Sequence, residues 1–427
     1  MRWAVVVLGA TLASGGLVPS AWSQPPAREV TVEALVQEAL RTHPDLHAAR
    51  LEIEAAAARV HQAGLRPNPM LELGGQKALG PDNTMAVGLR LPLDLNGRKE
   101  GRVGVAEREH GVRRAQLAER ERRLRAEIRL KAGDVLAARR TLATAGELLD
   151  ANRRAFGIVR DRVREGAAPT LDESLQLVEL NRLEASQTVL ASRLEVMTLQ
   201  LKTVAGLAID APLQLVGELR AAPVAVDAET ALRRATDERP DVRLARAEVA
   251  TGSARVRRAQ AEGRWDASVN VGYQRMDTGF DLMGITERGG TRPIQDTFHY
   301  FGAGVSVTLP VRDRNQGNIA AAQAETRAAE RRQGFLELAV KQEVVSAFAQ
   351  HAAARRAVEL YEGGVRSVAR RNLDVVRQSY ELGRGSLLDV IGEQRRYLEI
   401  ESGFTAVLKD AYDAEVEIER ATGSPVR

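Results

Sequence analysis

His43-Pro44-Asp45-Leu46, followed by Ala49-Arg50 and Ala58-Arg59-Val60, returns 196 residues further on as Arg239-Pro240-Asp241-Val242, with Ala245-Arg246 and Ala254-Arg255-Val256. Later landmarks recur at a larger offset. Leu91-Pro92-Leu93 reappears as Leu309-Pro310-Val311 after 218 residues, and Gly166 with Leu171-Asp172 as Gly383 with Leu388-Asp389 after 217. Self-similarity of this kind marks a duplicated structural unit, and missing it would mis-assign the fold. The growth of the offset from 196 to 218 places an insertion in the second copy, near Asp277 to Thr297. That segment is rich in Gly, Asp and Thr and reads as a long loop.

Each copy has the order helix, two strands, long helix, tight turn, long helix. Residues 31 to 63 are helical by pattern and stop at Pro67-Asn68-Pro69. Two strand-like runs then flank Leu79-Gly80-Pro81-Asp82-Asn83. No proline occurs between Pro92 and Pro169, so one helix of 67 residues, Arg98 to Arg164, is predicted; it would be about 100 Å long. The second copy has none between Pro310 and Pro425, leaving two long helices that break at Gly383-Arg384-Gly385. Helices over 31–63 and 170–206 would measure about 50 and 55 Å, so end to end they match the long one, and 229–262 with 386–422 repeat the match. The expected body is a helical cylinder. Its divisions are a signal segment at 1–23, a first repeat at 24–206, a linker at 207–228 and a second repeat at 229–427.

Leu180, Leu183, Gln187, Leu190, Leu194, Met197, Leu201 and Val204 alternate steps of three and four, the seam of a coiled coil, and the seam recurs from Tyr397 through Ala421. Such a seam is expected to hold copies of the chain together. The run Glu107 to Lys131, with nine basic and five acidic residues, reads as a solvated helix face laced by i,i+4 pairs, since interleaved Glu opposes a nucleic-acid patch.

The strand runs alternate in polarity. Trp265, Ala267, Val269, Val271 and Tyr273 share one face against Asp266, Ser268, Asn270, Gly272 and Gln274. Phe301 to Leu309, Met85 to Leu93 and the shorter Leu71 and Leu73 repeat the pattern. Strands of about ten residues, apolar on one face, polar on the other and rimmed by aromatics, suit an outer-membrane barrel. A half-buried sheet in a soluble domain is the alternative. Four strands cannot close a barrel; two chains supply eight and three supply twelve, enough for a pore.

Composition agrees with a largely helical body: 44% apolar, 28% charged and only 4% aromatic residues. A formal charge of +4 over 427 residues is too small to draw nucleic acid. The chain has no cysteine, which excludes disulfides, thiolate metal sites and a lipidated N-terminal Cys. Arg2, the apolar stretch from Ala4 to Val18 and Ala21-Trp22-Ser23 form a secretory signal with a small-x-small cleavage site. After it no run long enough for a transmembrane helix occurs. There is no P-loop, HExxH, GxSxG or GxGxxG spacing, so neither catalysis nor a cofactor is expected. His43 and His47 are four apart, but Pro44 between them favours a capping or surface role over metal binding. Met70, Met85, Met276 and Met283 are candidates to line a path for soft ions, with Met85 on the apolar strand face.

Over nearly all its length after residue 23 the chain resembles the TolC-type outer-membrane efflux proteins. The resemblance lies in the duplicated order and in His43-Pro44-Asp45 and Gln62-Ala63-Gly64-Leu65-Arg66-Pro67-Asn68-Pro69. It extends to the tips, Arg164-Glu165-Gly166 with Thr170-Leu171-Asp172, and Tyr380-Glu381-Leu382-Gly383 with Ser386-Leu387-Leu388-Asp389. Gln62 to Pro69 and Leu91 to Arg98 look most like the branch serving cobalt-zinc-cadmium pumps.

The resemblance implies a homotrimer, with a twelve-stranded barrel in the outer membrane on a periplasmic barrel of twelve helices. It also implies docking to a periplasmic adaptor and an inner-membrane RND-type pump, with Gly166, Thr170, Asp172, Gly383 and Ser386 at the docking tips. Tyr380, Arg384 and Asp389 match or neighbour the tyrosine, basic partner and acidic ring of the family's constriction. Two departures stand out: Gly392 replaces an expected second acid, and Arg384 is one position from the basic residue. Asp172 has a plainer reading as a helix cap. The implied function is a passive exit duct in a tripartite pump for heavy-metal cations. The competing cargoes are drugs and organic compounds, or proteins in type I secretion. From another class, a secreted periplasmic coiled-coil scaffold needs no membrane strands. The hairpin turn near Gly80 and the segment Asp277–Thr297 are expected to face the exterior.

Overall fold

A computed structural model describes residues 28–80, 82–221 and 223–423. The signal segment expected at 1–23 lies outside the described residues. The first half runs β1 (Arg28–Thr31), α1 (Val32–Thr42), α2 (Pro44–Ala63), β2 (Met70–Lys77), β3 (Asn83–Leu93), α3 (Arg98–Arg164) and α4 (Thr170–Val204). The second runs β4 (Leu213–Val216), α5 (Ala228–Glu238), α6 (Pro240–Glu262), β5 (Asp266–Ile285), β6 (Thr291–Thr308) and α7 (Gln316–Leu360), then a π-helical turn (Tyr361–Val365), α8 (Arg366–Glu381) and α9 (Leu387–Thr422). Among the described residues no helix is long and apolar enough to cross a membrane.

The 67-residue helix forms over the expected range. The helices expected over 31–63 and 229–262 are each broken, because a proline drives the residue before it out of the helical region and then starts a new helix itself. His43 (ψ 127°) and Arg239 (ψ 134°) are those residues. His43 also caps α2, its Nδ1 accepting the Asp45 N–H at 3.2 Å. The chain passes each break under a left-handed glycine: a Cβ on Gly206 (φ 71°) would lie 2.8 Å from His43, and one on Gly423 (φ 74°) 3.2 Å from Arg239.

The loop expected from Asp277 to Thr297 is instead mostly strand. β5 and β6 pair from Asp266↔Thr308 to Phe280↔Ile294, shift register at a bulge before Met283, and turn at Thr286–Gly290. The Gly and Asp content masked the alternation of apolar residues beneath it. The linker expected at 207–228 contains β4, which lies parallel to β1 with Val30 opposite Leu215.

Val30 and Leu215 are buried in the main core with Leu35 and Val36 of α1, Ile128 and Val135 of α3, Leu201 of α4 and Phe404 and Leu408 of α9. A second core joins Ala231, Val242, Val340, Val344 and Ile418. Within the chain the first seam packs on α3 and the core: Leu180 and Leu183 meet Leu148 and Leu149 of α3, and Leu194 and Met197 join the main core. On the opposite side of α4, Leu171, Val178, Val189 and Val196 are exposed, as are Leu338, Val345, Val368, Val375 and Leu382 along α7 and α8. α4 and α7 are thus apolar on two sides.

The Arg/Glu run of α3 is only partly solvated. Glu119 is buried and holds Arg123 at 2.5 Å, an expected i,i+4 pair, and Arg122 at 2.7 Å, three residues on. Arg122 also donates to the Arg420 carbonyl and faces Asp241 at 3.6 Å, and Arg129 pairs with Glu419. Partners on α6 and α9, invisible in a local window, make this burial tolerable.

Candidate functional site

The four-stranded sheet has the order β2-β3-β5-β6, all neighbours antiparallel. Its register aligns the apolar positions. Leu71 faces Leu89, which faces Val271, which faces Ala303; Leu73, Val87, Tyr273 and Phe301 form the next row, and Leu91, Val269 and Val305 another. These side chains make one apolar face, with Leu73 73%, Phe301 84% and Val305 66% exposed. From Phe301 to Thr308 the strand advances about 23 Å, or roughly 18 Å of height at a barrel's tilt, within the roughly 25 Å apolar band of an outer-membrane barrel.

The other face is polar and hydrogen-bonded across all four strands. Glu72 pairs with Arg90 at 3.0 Å, Arg90 Nε donates to Asn270 Oδ1 at 3.2 Å, and Asn270 Nδ2 donates to Ser306 Oγ at 2.7 Å. Below the sheet, Asn96 Nδ2 donates to the Trp265 carbonyl at 2.6 Å, and Arg98 donates to the carbonyls of Glu262 and Arg264 at 3.2 and 2.9 Å. These bonds fix the sheet on the helical body.

At the far end of the long helices the two turns are built alike. Gly166 (φ 70°) and Gly383 (φ 72°) take the left-handed conformation that ends a helix. The Gly166 and Ala167 N–H groups donate to Val163 and Arg162, and those of Gly383 and Arg384 to Tyr380 and Ser379. Pro169 then precedes α4 without a side-chain cap. Asp172 is therefore not the cap of that helix. Its carboxylate instead accepts the Tyr380 hydroxyl at 3.3 Å, tying one tip to the other, and Arg162 donates to the Glu381 carbonyl at 3.4 Å. Burial, and then the Asp172 carboxylate, raise the Tyr380 hydroxyl above its usual pKa, so it stays a donor.

Ser386 and Asp389 form a reciprocal capping box at the start of α9. The Ser386 hydroxyl donates to Asp389 at 2.7 Å and its N–H at 3.2 Å, and these bonds hold the carboxyl below its ordinary pKa. Tyr380 and Asp172 are brought together; Arg384 is exposed and bonds Ser379 through its backbone. Thr170 opens α4, its carbonyl accepting from Ser174 at 3.2 Å.

Two ties just inside the tips were missed. Gln176 Nε2 donates to Asn152 Oδ1 at 3.0 Å, and Glu179 accepts from Arg395 of α9 at 2.8 Å as well as from Arg182. Burial would raise the Glu179 pKa, but its bonds to Arg182 and Arg395 outweigh burial and lower it. The available signal was polar Gln176 and Glu179 on the packed side of an otherwise leucine-rich seam.

The chain is 24% identical over 397 residues to the cobalt-zinc-cadmium resistance protein CzcC of Cupriavidus metallidurans, covering 93% of this chain and 91% of that one. The fold is shared with the CmeC outer membrane channel of Campylobacter jejuni (TM-score 0.74, 15% identity, 92% of this chain and 85% of that). It is also shared with the open state of the MtrE outer membrane channel of Neisseria gonorrhoeae (TM-score 0.72, 18% identity, 93% and 89%). The model of the family described as outer membrane efflux protein matches residues 35–207 and 231–424, nearly the whole helical and strand body, and the chain belongs to that family.

Proposed function

We propose that three copies of this chain form a passive exit duct through the outer membrane, a twelve-stranded barrel continuous with a periplasmic α-barrel, serving an adaptor and an inner-membrane RND-type pump. The observation that carries this reading is the two-faced sheet. One chain supplies four strands with a lipid-suited face, a hydrogen-bonded polar face, and open edges at β2 and β6. Open edges are not tolerated in a bilayer, and three copies remove them while leaving a polar pore. The uncovered apolar stripes on α4 and on α7–α8 supply helix contacts between copies. Likeness to a cobalt-zinc-cadmium resistance protein favours heavy-metal cations as cargo.

The chain is expected to leave the outer membrane only with detergent and to migrate as a heat-modifiable oligomer, and its deletion to sensitise cells to zinc, cobalt or cadmium. Recovery in the soluble periplasmic fraction would return the coiled-coil scaffold as the better reading; sensitivity to dyes and antibiotics alone would reassign the cargo.

In this reading Gly166, Thr170, Asp172, Gly383 and Ser386 lie at the adaptor-docking tips, and Tyr380, Arg384 and Asp389 at the gate. Three Asp389 carboxylates about a threefold axis attract cations. Asp389→Asn keeps an acceptor for the Ser386 cap while removing the charge. It is expected to weaken divalent-cation block in planar-bilayer recordings; block equal to wild type would leave Asp389 as a cap alone.

A further inference from the structure

On the sheet side of the breaks at Pro44 and Pro240 the helices form one layer in the order α2-α3-α6-α7. α2 packs on α3, α3 on α6 and α6 on α7, and one trough is lined by Ala56, Val112, Thr251 and Ala329 of the four in turn. The layer has two open edges, α2 and α7. Each turns its buried residues inward: Leu46, Ala49 and Ala56 of α2 toward α3, and Ala322 and Thr326 of α7 toward α6, where a Cβ on Gly252 would lie 2.7 Å from the Thr326 hydroxyl. At about 100° per residue, Glu54 lies about 130° round α2 from its buried side, and Arg327 and Arg331 about 120° and 160° round α7. Arg59 on α2 and Glu325 on α7 line the trough, so Glu54 and Arg327 share the flank away from it.

These charges interrupt surfaces that are otherwise small or apolar. Ala324, Leu338 and Val345 continue the line of Arg331 at seven-residue steps, and Leu51 and Ala58 flank Glu54. Glu54, Arg327 and Arg331 are exposed, and among the described residues none of them has a side-chain partner. Carboxylates between the helices of the layer do find theirs: Glu109 bonds Arg255 at 2.8 Å, and Glu52 faces Arg113 at 3.7 Å. The same contacts carry height across the layer. Together with Gly252 on Thr326 they put Glu54 about 3 Å nearer the sheet than Arg327 and about 9 Å nearer than Arg331, at 1.5 Å per residue. Rotation about a threefold axis preserves height, so the α2 edge of one copy arrives with Glu54 beside the two arginines of the next.

We propose that Glu54 on the α2 edge of one copy pairs with Arg327 and Arg331 on the α7 edge of the next, a charge lock that fixes the head-to-tail order of the copies. The inference rests on the trimeric reading above. Small side chains let two helices approach to about 8 Å. At that distance a charge set among alanine and leucine side chains loses water and needs its opposite. Contact of α2 with α2, or of α7 with α7, sets like charges together, whereas α2 on α7 matches them at every seam and closes a ring. An apolar stripe alone lacks this discrimination, because burial against any other apolar stripe satisfies it.

The chain has no cysteine, so a pair can be introduced without background. In the full-length, detergent-extracted protein, Ala58→Cys with Ala324→Cys, one on each edge, is expected to give a covalent trimer with a short bis-maleimide linker. Either change alone is expected to leave the chains unlinked, because unlike edges meet. Glu54→Arg is expected to lower the heat-modifiable trimer at least about fivefold, and Glu54→Arg with Arg327→Glu and Arg331→Glu to restore it. All three side chains are exposed in the single chain, so its own fold tolerates the changes. A trimer in which the double-cysteine protein stays unlinked, or in which Glu54→Arg assembles like wild type, overturns the lock, frees these edges for another partner such as an adaptor, and leaves the duct standing. Failure of the charge-reversed triple variant to recover overturns the pairing likewise. A chain that is not trimeric overturns both readings.

Discussion

Arg239→Leu is expected to remove most folded protein from the membrane. Arg239 is 1% exposed, donates to both Asp241 oxygens at 3.0 and 2.5 Å, to Glu343 at 2.9 Å and to the Ala421 carbonyl at 3.1 Å. It thus joins the start of α6 to α7 and to the end of α9. Its loss leaves buried Asp241 with the Val242 N–H at 2.9 Å and, as its one guanidinium among the described residues, the more distant Arg122 at 3.6 Å, at a cost of about 3–5 kcal/mol, against a typical domain stability of about 5–15 kcal/mol. Glu343, a third exposed, keeps Arg420 at 3.6 Å and adds little.

The companion change Arg239→Leu with Asp241→Leu removes the stranded charge and is expected to recover much of the loss. Denaturation midpoints in detergent measure all three proteins. A midpoint for Arg239→Leu within experimental error of wild type would show that the buried pair contributes nothing to the junction.

The pair also carries a pH dependence. Burial raises the Asp241 pKa, but bonds and charge from Arg239, aided by Arg122, outweigh it and bring the carboxyl below its ordinary value. A depressed carboxyl stabilises the fold fully above its unfolded pKa of about 4. That contribution is lost as the pH falls through the lower, folded value, so wild type is expected to weaken on acidification in a way the double-leucine variant does not.

Val305→Arg is the second large effect. Val305 lies in the middle of the apolar face, opposite Val269. A guanidinium at the bilayer midplane of a barrel costs about 2–4 kcal/mol per chain, and a trimer carries three. Ser306→Arg, one residue on, points to the polar face and is expected to assemble normally. Outer-membrane abundance of the heat-modifiable oligomer separates the two. Equal abundance of both variants would mean that the sheet has no lipid-facing side, and a half-buried soluble sheet would be the better description.

The long elements were legible because their limits are punctuated by residues with few conformational options. α3 lies between Gly97 (φ 77°) and Gly166, and α9 starts at a capping box whose two members are three residues apart. Period-two alternation likewise revealed the strand faces. What stayed hidden was set by distance along the chain. Tyr380 and Asp172 meet across 208 residues, Glu179 and Arg395 across 216, and Arg122 and the Arg420 carbonyl across 298. No local window shows that a carboxylate will find a guanidinium on another helix, so buried charge looked like solvated charge. The β5–β6 extension was obscured for a different reason: its Gly, Asp and Thr residues carry turn propensity that pairing along a hairpin overrides.

The small parallel ladder of β1 and β4 bears on the order in which the chain folds. Val30 and Leu215 are 185 positions apart, and closing a loop of that size costs about 4–5 kcal/mol in chain entropy. Four paired residues do not offset that alone. The ladder forms on a core already assembled from α1, α3 and α4, helped by Arg139, which donates to the carbonyls of Leu215 and Gly217. Contacts this remote in sequence form slowly. The segment at Arg28–Thr31 therefore waits, during synthesis and export, until the chain beyond Val216 has arrived. A chain halted before Leu213 holds Val30 without its partner Leu215, and its first repeat is expected to be a substrate for chaperones and proteases until the second repeat has begun to emerge.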